Sequence, residues 1–300
     1  MFADPLLVAH GLAEENGTDG LHIAYGRNIT VRGVRGLAAD DLVAIAPPLS
    51  GPVADRDIFD VTIEDVEGAS EAARLCLVGI WNPRLTATVG NVTLRNVRGS
   101  AGGNGGVVLI AGMAEQAGGC MNILLEDFQI DCRSCGEKSD GLRLRGGGRL
   151  ENISLHRGAI TNVGGSVSGV HTIGRFSGLD LSNVNIDMSG STGPGLLITT
   201  PSGARGLRTR SLIIRCGLGP GLSVPGGQSI LEDADVELEV HETTPKETSL
   251  VLRGMRNSRV KAMRHSQDGA SSAMTLRGLS EDDSVETSGT VDLRQGRSDS

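Results

Sequence analysis

Ten short segments of the form Gly/Asp–apolar–x–apolar recur down this chain, among them Asp19-Gly-Leu-His-Ile, Gly141-Leu-Arg-Leu and Gly195-Leu-Leu-Ile. Their first apolar residues are Leu21, Leu42, Leu75, Val107, Leu142, Val170, Leu196, Leu222, Leu250 and Met274, at intervals of 21 to 35 residues. A strand-like unit with a period in this range cannot bury its apolar face alone, and neighbours must stack to build a common core. The recurrence therefore predicts an all-β chain, a β-solenoid of about ten coils.

Composition fits that architecture. The 300 residues include 44 glycines but only one Trp, one Tyr and four Phe. Thin stacked coils fill their interior with aliphatic side chains and need glycine at tight corners. Glycine lacks the three-residue period of collagen, and 38% hydrophobic content argues against disorder. A repeat that runs nearly end to end predicts one domain over residues 19–294, with a frayed tail at 295–300. Residues 1–18 are too few for a coil and read either as a capping helix, with Asp4 as N-cap and Pro5 at its first position, or as the last strand of a preceding coil.

A formal charge of −8 and a pI near 5.3 make nucleic acid and anionic membranes poor partners. The apolar stretch around Gly105–Ala114 is too short to span a bilayer, and no basic segment followed by an apolar core marks a secretory signal. Five cysteines, Cys76, Cys120, Cys132, Cys135 and Cys216, form no disulfide framework and are expected to be reduced. Localisation stays open between the cytosol, a virion and export within a longer chain. An uncovered first coil is an aggregation-prone edge, which predicts a cap, a homo-oligomer or a partner chain at that end.

Each repeat carries a second alternating segment, as in Asn28-Ile-Thr-Val-Arg and Asn91-Val-Thr-Leu-Arg. Its first residue is Asn28, Asp60, Asn91, Asn122 and Asn152 in five successive repeats. Parallel strands lie about 4.8 Å apart, so these residues are expected to form a hydrogen-bonded column at a corner, where Asn tolerates left-handed backbone. The same column explains the Asn-x-Ser/Thr sequences as structure rather than glycosylation acceptors. Arg253 and Arg277, one coil apart, are expected to be stack neighbours on the outer face.

The chemistry concentrates in Asp19, Asp40 and Asp41. Asp19 and Asp40 lie two residues before their phase markers, which predicts one column with Asp41 next to it. Carboxylates about 5 Å apart cannot all ionise freely, so at least one pKa should rise. A protonated acid beside an ionised one is what glycoside hydrolysis requires. Thr18-Asp19-Gly20, Arg27-Asn28-Ile-Thr and Ala39-Asp40-Asp41-Leu-Val-Ala-Ile together resemble the polygalacturonase-like (pectin-lyase-like) family of right-handed parallel β-helix glycoside hydrolases.

That resemblance is close only over residues 16–45. It implies a right-handed helix, in line with the general preference for right-handed parallel crossovers, and inverting hydrolysis of a polysaccharide without a cofactor. It further implies Asp40 as general acid, with Asp19 and Asp41 holding the attacking water. The coil after the paired acids has Ala73-Arg74-Leu75-Cys76 where the family carries Gly-His-Gly. The next has Gly106-Val107-Val108-Leu109 where the family carries Arg-x-Lys, so the likeness covers the acids and not these substrate-binding elements.

Arg74 shares the phase of Asp41 one coil along and is expected either to pair with it or to bind a substrate carboxylate. His22, facing outward beside Asp19, is the second candidate substrate-binding residue. No metal is expected: Cys132-Arg-Ser-Cys135 lacks a second ligand pair, and no loop completes an oxygen shell at Asp40 and Asp41. Asp140 repeats the phase of the acids but lies three coils beyond Asp40, too far to join them. The competing reading is a non-catalytic glycan-binding or structural β-helix, such as a phage tail, spike or adhesin component, with only Tyr25 and Trp81 as obvious aromatic contacts for sugar.

Overall fold

The computed structural model describes residues 6–9, 18–103, 105–113, 118–135, 139–200, 203–225, 230–242, 248–266, 272–277, 281–288 and 291–295. Among these the chain is all-β apart from a single 3-10 turn at Arg133–Cys135, and its strands pair in parallel throughout. It winds as a parallel β-solenoid of about eight turns. Short strands such as Cys76–Ile80, Val108–Gly112 and Leu142–Gly146 stack into an 11-stranded sheet. Long strands such as Thr88–Ala101, Gly119–Asp131 and Arg149–Thr161 stack into a 14-stranded one.

The long strands turn around the core because two residues in each adopt left-handed backbone. One column runs through Asn28, Asp60, Asn91, Asn122, Asn152, Gly178, Gly206, Asp233 and Asn257, all at positive φ. Its non-glycine members have φ of 49–58°. Most L-residues lose about 1–2 kcal/mol in this conformation, and Asn and Asp are the side chains that visit it routinely. Four of the amides also reach a neighbour. Asn91 Nδ2 donates to Asp60 Oδ1 at 2.9 Å, Asn122 to Asn91 and Asn152 to Asn122 at 3.0 Å, and Asn257 to Asp233 at 2.6 Å. The expected column of five is thus part of a longer one of nine residues, two of them glycine. A second left-handed column, Asp65, Asn96, Asp127, Arg157, Asn183 and Ser211, makes the next bend.

Between these corners one apolar cluster runs from Ile23 to Ala262, built mainly of Val, Ile and Leu with Ala and Cys among them. Each fully buried aliphatic side chain contributes roughly 1.5–3 kcal/mol. Phe128 is the largest side chain in this lumen. It is accommodated because its neighbour one coil on is Gly158, where a Cβ would stand 2.1 Å from the ring.

One expectation is corrected here, the phase of the short strands. The short-strand column runs Leu21–Val43–Cys76–Val108–Leu142, so the phase of the second, third and fourth coils is displaced by one residue from the Leu42, Leu75 and Val107 markers. Those three residues are buried at the corner that Gly20 and Gly141 occupy in other coils. Their strands are apolar on both faces (Leu77, Leu109 and Ala111 pack outward under Trp81 and Met113), which erases the alternation that reveals phase. At the N-terminus, where the sequence leaves helix and strand open, Leu6–Ala9 forms a strand parallel to Arg35–Ala38, while Asp4 and Pro5 lie outside the described residues. At the other end the strand Val291–Gln295 reaches the first residue of the expected tail. Arg253 and Arg277 are paired in register as expected, though the Arg277 side chain lies outside the described residues.

The ladder gives a direct test. Replacing Asn122 by Ala removes both ladder hydrogen bonds and leaves an L-residue at φ 53°. We expect a loss of about 2–4 kcal/mol in chemical denaturation, with Asn122→Gly losing clearly less because only the bonds are gone. Equal losses would show that backbone conformation contributes nothing.

Candidate functional site

The corner before each short strand stacks Asp19, Asp41, Arg74, Gly106 and Asp140 in successive coils, as the backbone bonds Gly20 N–H to Asp41 O, Leu42 N–H to Arg74 O and Val107 N–H to Asp140 O and the Cys76–Val108 register require. Asp41, and not Asp40, therefore stands over Asp19. This follows from the one-residue phase displacement. Asp40 sits at the preceding position, and one oxygen from each of the three acids lies within 4.8 Å of the others.

The three carboxyls have different surroundings. Asp19 Oδ1 accepts the Asp41 N–H at 3.1 Å, and its Oδ2 is 3.0 Å from His22 Nδ1. The other ring nitrogen of His22 lies 2.8 Å from the Ala46 carbonyl. With oxygen acceptors on both nitrogens, the imidazolium is the form that satisfies the site. The hydrogen bond to Asp19 raises the His22 pKa above its ordinary value, against the opposing effect of burial.

Asp41 is buried, and its Oδ1 accepts the Arg74 N–H at 2.9 Å. The guanidinium of Arg74 reaches the same oxygen at 3.4 Å, the ion pair that phase predicted. Burial pushes the Asp41 carboxyl up to about 7; Arg74 pulls against it, and the charges of Asp40 and Asp19 add to the rise. Asp40 is raised too, by burial and by Asp19. The expected rise thus falls most heavily on Asp41.

Beyond the acids the outer face carries cations and one aromatic ring. The Arg74 and Arg145 guanidinium carbons lie 5.0 and 5.1 Å from the Trp81 ring centroid, so this indole sits between two cations above Leu77, Leu109 and Ala111. Arg145 was not recognisable as part of this group, because its approach to Trp81 crosses two coils. Further along, Asp140 forms a network of its own with Arg143 Nε at 2.7 Å, the Ser168 N–H at 2.8 Å and His171 Nδ1 at 3.1 Å. His171 Nε2 continues to Thr199 Oγ1 at 2.9 Å. Burial pushes the Asp140 carboxyl up, but His171, Ser168 and Arg143 outweigh it and hold it below the usual range. His171 follows Val170 as His22 follows Leu21, a positional match in the repeat that marks it as an outward histidine one column-step from an acid.

As a donor set, the three acids present oxygens suited to a hard cation such as Ca2+ or Mg2+. Arg74 already occupies part of that charge. Cys132 and Cys135 are both buried, and among the described residues no third metal-binding side chain joins them. Open grooves lined by Arg149, Arg175, Arg205 and Glu232 lie on the long-strand sheet, remote from the acids, and bring no reactive group together.

The Asp41 environment has a consequence for stability. Its folded pKa, about 7, lies above the ordinary 3.8, so its contribution is fully present below pH 3.8 and is lost as pH rises toward 7. Asp41→Asn keeps an acceptor for the Arg74 N–H and does not titrate. Relative to wild type this variant should gain stability between pH 4 and pH 8, by up to the order of 4 kcal/mol. A pH-independent difference in denaturation midpoint would show that Asp41 ionises as freely as in the unfolded chain. Neither a family model, nor a curated protein, nor a solved structure matches this chain.

Proposed function

We propose that this protein is a carbohydrate-active β-helix that hydrolyses a polysaccharide with the triplet Asp19, Asp40 and Asp41. The observation that supports this reading is the buried Asp41 carboxyl, pushed up to about 7 within 4.8 Å of two further carboxyls. Such a site retains one proton near neutral pH while its neighbours ionise. Asp41 is too enclosed to meet a chain of sugars, whereas Asp40 is partly open. In this mechanism Asp41 passes its proton to Asp40, which delivers it to the glycosidic oxygen, and Asp19 takes up the proton released by the attacking water. Asp19, oriented by His22, holds the attacking water.

Arg74 and Arg145, held beside the Trp81 ring, offer charge to an acidic sugar. The reading needs no cofactor. It takes the coil as right-handed, on the general preference for that hand in parallel crossovers, with about ten coils on the basis of the 11 short strands. Inversion is the outcome the family resemblance implies. The acids stand closer than the roughly 6.5–9.5 Å usual for inverting pairs, so the anomeric product measured by NMR is a separate test.

One observation favours a second reading. Both the backbone and the guanidinium of Arg74 engage the same Asp41 oxygen, which suits a locked corner in a non-catalytic glycan-binding or structural helix. Release of reducing ends from polygalacturonate and bacterial capsular glycans, by wild type and Asp40→Asn, separates the two. Under the catalytic reading the variant loses about 10²–10⁴-fold in kcat. Wild-type activity should also fall as pH rises through about 7, where Asp41 gives up its proton. Absence of release from every glycan by wild type would leave the binding reading standing.

A further inference from the structure

A second cluster lies at the far end of the solenoid, on the long-strand sheet. Glu239 and His241 occupy alternate positions of the strand Asp235–Glu242, so their side chains leave the same face. His265, on the strand Arg259–Ser266, is the in-register neighbour of His241 one coil on. The two imidazoles lie with ring centroids 4.5 Å apart and planes inclined by 22°. Both Nε2 atoms converge on the same carboxylate oxygen. Glu239 Oε2 is 3.4 Å from His241 Nε2 and 3.8 Å from His265 Nε2.

We propose that Glu239, His241 and His265 form a binding site for a divalent transition ion of the Zn2+ type. Two imidazole nitrogens and one carboxylate oxygen are donors that such ions prefer and that Ca2+ and Mg2+ do not. With metal–ligand bonds of about 2.0–2.1 Å, ligand atoms around a tetrahedral ion are about 3.3 Å apart. The observed separations from Glu239 Oε2 are 3.4 and 3.8 Å, so closure on an ion needs only small side-chain rotations and leaves the backbone register unchanged. All three ligand atoms lie within 4.8 Å of one another.

The surrounding charges permit it. Arg264, the chain neighbour of His265, turns inward to the buried Glu242, and Lys261 pairs with Glu237. Arg215, beside His241 in the preceding coil, is exposed on its own strand. With three protein ligands the ion retains an open position for water or an external ligand, and the partial exposure of Glu239 and His241 leaves that position accessible. The site is independent of the acid triplet, which it shares no residue with.

The test is titration of the full-length, chelator-stripped protein with ZnCl2 by isothermal calorimetry, alongside Glu239→Gln, His241→Ala and His265→Ala. The expected result is a wild-type site with Kd below ~100 μM, weakened at least tenfold in each of the three variants, with MgCl2 giving no comparable signal. Unfolding midpoints of the metal-free variants within a few degrees of wild type establish that folding is retained; His265, exposed at the surface, is the variant to rely on if His241→Ala is destabilised. Wild-type binding weaker than that limit, or a His265→Ala protein that keeps more than a tenth of the wild-type affinity, overturns the proposal. Zn2+ held by Cys132 and Cys135 instead would give the second of these outcomes.

Discussion

Left-handed backbone at a fixed corner of successive coils is the constraint on which the molecule depends. A parallel ladder of hydrogen bonds alone does not settle which residue of one coil faces which residue of the next. A position that only Asn, Asp or Gly occupies without cost does so, and in the described residues it recurs from Asn28 to Asn257. Once that column is set, the period-two alternation sends Val, Ile and Leu inward and charge outward, and every outward residue acquires a neighbour directly above and below. Like charges in successive coils are then forced together, and opposite charges are paired.

Most of the long-strand sheet resolves this by alternating sign. Arg95 bridges Glu64 and Glu126 at 2.7 and 2.8 Å, and Glu232 receives Arg205 and Arg256 at 2.9 Å each. Such exposed pairs contribute little individually, but they remove repulsion from the stack. At the short-strand corner the pattern breaks. Asp19 and Asp41 are direct column neighbours with Asp40 alongside, and only Arg74 and His22 oppose their charge. Three carboxyls meet two cations here, with the buried one held partly protonated, and this clustering singles the corner out more sharply than any groove on the surface.

The sequence showed the architecture more clearly than the details of the site. The repeat of apolar segments, the glycine content and the Asn column were legible because stacking imposes them at regular spacing. Phase was legible wherever one face of a strand is polar, as in Leu142-Arg-Leu-Arg, and was lost where both faces are apolar, as in Val107-Val-Leu-Ile. That single-residue error exchanged Asp40 for Asp41 in the column. The ion pair of Arg74 with Asp41 was foreseeable, being a contact between adjacent coils. The approach of Arg145 to Trp81, and the bond from Asp140 to His171, depend on how long side chains lie across the surface, which spacing along the chain does not encode.

The unbroken corner column has an evolutionary consequence. Asn91, Asn122 and Asn152 are separated by 31 and 30 residues, nearly one coil each, and present the same backbone and the same amide to either side. A tandem duplication or excision of such a unit rejoins the stack with donor facing acceptor and lumen facing lumen. It shifts everything downstream by one rise of about 4.8 Å. An odd-numbered insertion within a strand would instead turn that strand inside out, whereas the segments between strands absorb other lengths, as repeat intervals of 21 to 35 residues show. The solenoid is therefore free to lengthen or shorten by recombination in whole coils, while the distance between its acid corner and its histidine pair changes in equal steps.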